Sequence, residues 1–178
     1  MDNKFILRDD GTQEWRRNGN LHRDGDQPAK IYPMGSKEWW QNGQVHRDGD
    51  QPAVIRADGT QVWYKNGTFH RDGDQPAKIY PDGMQKWYQK GDLHRNDGQP
   101  AIIKSDGTQL WYNNGRLHRD EDQPAVIYED GTQLWMQQGR SHRDNNLPAV
   151  MHPDGTLEWY IHGIWQDSGE LDGINIKG

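Results

Sequence analysis

A strict 24-residue periodicity constrains this chain more than any other feature. Glycine stands at Gly11, Gly35, Gly59, Gly83, Gly107, Gly131 and Gly155. A tryptophan follows four residues after each: Trp15, Trp39, Trp63, Trp87, Trp111, Trp135 and Trp159. A second glycine comes eight residues after the first, from Gly19 to Gly163. His22, His46, His70, His94, His118 and His142 form a further column, each followed by Arg, and Pro-Ala recurs from Pro28-Ala29 to Pro148-Ala149. No insertion or deletion interrupts the spacing. Such a period marks small supersecondary units that cannot bury an apolar face alone and build a core by stacking. The units run over 11–34, 35–58, 59–82, 83–106, 107–130, 131–154 and, in part, 155–163. Together with a leading strand, in which Phe5 to Arg8 match the end of a preceding unit, they make one repeat array over 1–163. Residues 164–178 read as a C-terminal cap.

Each unit carries two reversal signals. Asn18-Gly19, Asn42-Gly43, Asn66-Gly67 and Asn114-Gly115 suit type I′ hairpin turns, which need positive φ at both central residues. Asp58-Gly59, Asp82-Gly83, Asp106-Gly107, Asp130-Gly131 and Asp154-Gly155 supply the second. The stretches between them, such as Thr60 to Lys65 and Ala77 to Tyr80, predict strands of about four to six residues. Nothing sustains a 3.6-residue period. The expected fold is all-β, an elongated, solenoid-like meander of seven 24-residue hairpin repeats.

Register follows from the turns. A two-residue Asn66-Gly67 turn sets Tyr64 opposite Phe69 and Trp63 opposite His70, so Trp and His share one face. A three-residue Pro81-Asp82-Gly83 turn sets Ile79 opposite Gln85 and Ala77 opposite Trp87, which predicts a Trp–Ile core. A two-residue turn there would reverse every side chain. The unbroken Trp column favours the first register and leaves the Tyr–Leu face as a half-exposed aromatic stripe. In that register Glu14 and Glu38 lie opposite Arg23 and Arg47.

The aromatic-x-Asn-Gly-x-x-His segment resembles the MORN repeat and the related repeats of YwqK-type proteins. The match is fullest at Trp40, Asn42, Gly43 and His46, at Tyr64, Asn66, Gly67 and His70, and at Tyr112, Asn114, Gly115 and His118. Single positions depart from it at Arg16, Lys90, Met136 and Gln138. An Arg also replaces the Gly that MORN repeats carry after His, and the Gln-Pro-Ala segment is foreign to them. The resemblance implies a stack of β-hairpins. The spelling His-Arg-Asp-x-Asp-x-Pro-Ala is also similar to repeat proteins of large DNA viruses and bacteriophages, which implies a protein acting on a host factor.

Composition narrows function further. Lys and Arg total 21 against 27 Asp and Glu, a net charge of −6. That argues against direct nucleic-acid binding, where clustered basic residues supply most of the affinity. No apolar run is long enough to span a bilayer, so no membrane insertion is expected, and Met1 to Phe5 lack a signal-peptide h-region. Cysteine is absent, which excludes disulfides and thiolate metal sites. A cytoplasmic chain is the expectation, in the host cytoplasm if the protein is viral.

Candidate chemistry is periodic, and catalysis needs a unique constellation. No catalytic residues and no cofactor are therefore expected. His46, His70, His94 and His118, with the seven Trp, read as structural. Asp24-Gly25-Asp26 and its copies resemble cation-binding loops, but the sixth loop spells Asp144-Asn145-Asn146 and no Glu follows at fixed spacing, so no metal is expected. The candidate partner-binding residues are Trp40, Tyr64, Tyr88, Tyr112 and Tyr160, with Asp26, Asp50 and Asp74 in the turns. A protein partner is the first expectation. A carbohydrate bound on the aromatic column is the alternative, an acidic nucleic-acid mimic the third reading, and exposed strand edges allow homo-oligomers.

Overall fold

The computed structural model describes residues 3–166, so the expected cap lies outside the described residues beyond Gln166. Every regular element among them is a β-strand; there is no helix, and none long and apolar enough to cross a membrane. The chain divides into two compact units, one running to Asp92 and one beginning at Leu93. Each is a meander of the same hairpin.

In the first unit, strand Asn3–Leu7 pairs with Gln13–Arg17, which pairs with Lys30–Ile31. Pairing continues antiparallel through Lys37–Glu38, Val54–Ile55, Gln61–Val62, Lys78–Ile79 and Gln85–Lys86. In the second, Ile102–Ile103, Gln109–Leu110, Val126–Ile127, Gln133–Leu134, Val150–Met151, Leu157–Ile161 and Ile164–Gln166 follow the same order. Within each unit these strands pair in chain order, and short separate hairpins such as Tyr64–Lys65 with Thr68–Phe69 lie in sequence between some of the paired strands.

Both turns take the geometry their residues demand. Asn66 and Gly67 have φ of 50° and 78°, so Tyr64 meets Phe69 and Lys65 meets Thr68. The same turn forms at Lys90-Gly91, Gln138-Gly139 and His162-Gly163, where Asn is missing. Tyr80 N–H bonds the Met84 carbonyl at 2.9 Å and Gly83 N–H returns to Tyr80 at 3.0 Å, closing a three-residue loop that sets Ile79 opposite Gln85. Glycine is required at its end, where φ is 91°. Asp58 tightens the equivalent loop by accepting the Thr60 amide at 2.8 Å, and that bond holds its carboxyl below the usual carboxylate range.

Two sequence expectations need correction. The predicted strand from Thr60 to Lys65 is two strands, Gln61–Val62 and Tyr64–Lys65, with Trp63 in neither. The Trp63 amide bonds forward to the Ala77 carbonyl at 2.8 Å, while its own carbonyl accepts the His70 amide at 3.3 Å. One residue thus serves two sheets, and the chain turns a corner there. The corner interrupts face alternation, so the Trp–Ile core does not form as drawn. The tightest packing belongs to Trp39, Trp63, Trp87, Trp111 and Trp135, to the fully buried Ala column, and to Val62, Ile102, Val126 and Val150 on the other parity. Ile31, Ile55, Ile79, Ile103 and Ile127 are only half-buried, as are Trp15 and Trp159.

Successive hairpins are tied to each other by backbone. Gly43 N–H donates to the Leu21 carbonyl at 2.9 Å and Gly67 N–H to Val45 at 2.9 Å, and Gly115 and Gly139 repeat the bond at 3.0 and 2.8 Å. A lone unit would leave these groups to water, which is why the units stack.

Candidate interaction surface

The His-Arg-Asp loops cover the Trp column. From Trp39 onward each indole N–H of the column reaches back 13 residues to a loop carbonyl: Trp39 to Asp26 at 3.2 Å, Trp63 to Asp50 at 3.1 Å, Trp87 to Asp74 at 3.1 Å, Trp111 to Gly98 at 2.7 Å, Trp135 to Asp122 at 2.9 Å and Trp159 to Asn146 at 3.0 Å. A guanidinium closes the other side of the ring. Arg47 lies 3.9 Å from the Trp39 centroid, and Arg71, Arg119 and Arg143 lie 4.0, 4.0 and 3.9 Å from Trp63, Trp111 and Trp135.

Three of these guanidiniums grip the preceding loop. Arg47 grips Asp26 through Nε and a terminal nitrogen at 2.6 and 2.8 Å. Arg71 holds Asp50 at 2.7 and 2.8 Å, and Arg143 holds Asp122 at 2.7 Å through both nitrogens. This bidentate fork is the strong geometry for Arg and carboxylate, and it keeps all three carboxyls below their usual range. Asp26 and Asp50, expected as partner-binding residues, are therefore committed to clamps within the chain. Asp74 sits in the same column with the same backbone conformation, φ 50°.

The histidines face two ways. Nε2 of His46 lies 3.0 Å from Asp48, and His22, His70, His118 and His142 repeat the contact with Asp24, Asp72, Asp120 and Asp144 at 2.8–3.1 Å. His94 meets Asn96 at 3.1 Å. Nδ1 of His22 accepts the Asn42 amide of the next unit at 3.0 Å, and Nδ1 of His46 accepts that of Asn66 at 3.1 Å. A backbone N–H can only donate, so Nδ1 is bare and the proton sits on Nε2. At His118 the Nδ1 atom is buried without a partner among the described residues. The two carboxylates of Asp24-Gly25-Asp26 thus diverge, one to His22 and one to Arg47, and do not converge as a cation cage does.

The aromatic column is half-buried. Tyr64 packs on Phe69 at 4.5 Å and Phe69 stacks on Tyr88 at 4.8 Å, so the side chains bridge neighbouring hairpins. Burial pushes the Tyr64 and Tyr112 hydroxyls up. Trp40 donates to Glu38 at 2.8 Å and Tyr160 to Glu158 at 2.9 Å. The expected Glu14–Arg23 and Glu38–Arg47 pairs do not form, because the corner at Trp separates their faces. Glu14 is instead bound by Arg8 at 2.8 Å and Arg16 at 3.0 Å, and Arg23 stacks on Trp15 at 3.7 Å.

Between consecutive loops lie open grooves lined by the same columns of residues. The groove between loops 22–27 and 46–51 holds about 500 Å³ and that between 94–99 and 118–123 about 670 Å³; the grooves between loops 46–50 and 70–72 and between 118–123 and 142–145 hold about 170 and 230 Å³. The largest is also the irregular one. Its first loop spells Asn96-Asp97-Gly98, so glycine occupies the clamp position and Arg119 has no carboxylate bridge among the described residues. Sequence reasoning saw the spelling change but missed its consequence, because the partner of position 98 lies 21 residues away. Neither a protein-family model nor a curated protein matches this chain.

Proposed function

We propose that the chain is a non-enzymatic repeat protein acting as a protein–protein interaction module. The open grooves within each unit carry this reading: Trp, Arg and His recur in each at 24-residue spacing. A surface that repeats its chemistry suits an extended partner touched at several points, where weak contacts combine through high effective concentration. Arg and Trp are also the residues that most often anchor interfaces. The acidic mimic loses support from the Arg clamps, which neutralise Asp26, Asp50 and Asp122 from within. The carbohydrate alternative loses support from the stacking of Tyr64, Phe69 and Tyr88 on one another. A cytoplasmic setting goes with this reading, and a viral or phage protein acting on a host factor is one form of it.

The test is capture of partners from lysate by the full chain, beside a variant reversed at two exposed loop tips, Asp48→Lys and Asp120→Lys. A specific protein that the variant fails to recover is the expected result. Glycan binding on an array, with no protein recovered, would overturn the reading.

A further inference from the structure

The fourth loop breaks a rule that the first, second and fifth loops keep. In three loops the residue four after His is an Asp whose carboxylate lies within 2.6–2.8 Å of the next unit's guanidinium. At that position of the fourth loop stands Gly98. The backbone there stays in the same left-handed region: its φ is 65°, against 50–53° at Asp26, Asp50 and Asp122, and its carbonyl still accepts the Trp111 indole. Only the carboxylate is gone. Arg119 keeps its place, 4.0 Å over Trp111 and 3.4 Å from the Pro124 carbonyl through one terminal nitrogen, the same two contacts that Arg47 makes with Trp39 and Pro52 and Arg71 with Trp63 and Pro76. A Cβ built on Gly98 meets nothing within 4 Å, so the space a carboxylate would fill is open. Burial, only partly opposed by Glu121, draws the Arg119 guanidinium below the ordinary arginine value, as expected for a cation without its counter-ion.

We propose that this gap is a receptor for a carboxylate supplied from outside, an Asp or Glu side chain of a protein partner, received by Arg119 in the fork that Asp26, Asp50 and Asp122 fill elsewhere. The groove of about 670 Å³ around it admits a peptide side chain. Asp97 and Glu121 stand on the rim and repel a bare anion, so the favoured ligand is an acid flanked by basic residues. The proposal deepens the interaction-module reading and rests on it only for the source of the carboxylate.

The experiment is an NMR titration of the ¹⁵N-labelled full chain with acetyl-Arg-Asp-Arg-amide, beside the Arg-Asn-Arg control. The Trp111 indole N–H and Arg119 Nε–H should shift saturably, with Kd on the order of millimolar and roughly tenfold weaker for the control, the usual weight of one charge-assisted contact. Gly98→Asp, which supplies the carboxylate in cis, should abolish the response while circular dichroism stays unchanged. Asp50→Gly should create a second saturable site, reported by the Trp63 indole. Equal shifts for both peptides, binding that survives Gly98→Asp, or tighter binding of inorganic phosphate than of the Asp peptide would overturn the proposal. The titration needs no natural partner. A failed lysate capture beside a positive titration therefore rejects the module alone, and the reverse pattern rejects this site alone.

Discussion

Replacing Trp63 by alanine should be among the most damaging single changes in the chain. Its side chain is 6% exposed. A buried Trp covers ~150–250 Å², worth ~4–6 kcal/mol at ~25 cal/mol/Å², and measured Trp→Ala losses in cores are ~3–5 kcal/mol. The Asp50 carbonyl also loses its donor at 3.1 Å, and Arg71 loses the ring beneath it. A loss of about 4–5 kcal/mol is expected for Trp63→Ala, and about 1–2 kcal/mol for Trp63→Phe, which keeps a ring but no N–H. Urea unfolding followed by far-UV circular dichroism measures both. Because stability in stacked repeats is built from neighbour terms, amide exchange should quicken first at Trp63, His70 and Gly67, whose bonds to Ala77, Trp63 and Val45 hold the corner and its hairpin. A loss below about 2 kcal/mol for Trp63→Ala, or equal losses for Ala and Phe, would refute the view that the corner Trp organises the unit.

The other predictions concern the charged columns. The carboxyls of Asp26, Asp50 and Asp122 are held down in the folded state by Arg47, Arg71 and Arg143. Their contribution is therefore complete above the unfolded value of ~3.9 and disappears as pH falls through the lower folded values. The triple variant D26N/D50N/D122N should flatten the acid limb of a stability–pH curve. At neutral pH it should cost only about 0–1 kcal/mol per site, since these side chains are 49–60% exposed. The histidine geometry predicts the Nε2–H tautomer at His22 and His46, read from long-range ¹H–¹⁵N correlations. His46→Phe, which strips the Asn66 amide and Asp48 of a partner, should cost about 0.5–1.5 kcal/mol in a urea melt. A proton found on Nδ1 would contradict the stapling role.

Much of this protein was legible in the residues alone, because its interactions are mostly local and repeated. Asn-Gly and Asp-Gly spacing set both turns, and the turns set the register of Tyr64 with Phe69 and of Ile79 with Gln85. All-β class followed from the same signals. The core face did not follow. Alternation assumes a continuous strand, and the hydrogen bonds of Trp63 divide between two sheets. Nor could the pairing of Arg with an Asp 21 residues earlier be read from spacing, since it depends on how one loop lies over the next unit's indole. The 24-residue repeat decided by itself what each unit is. Only the stacking of units decided which polar groups meet, and that is why a single glycine at position 98 leaves a guanidinium without its carboxylate.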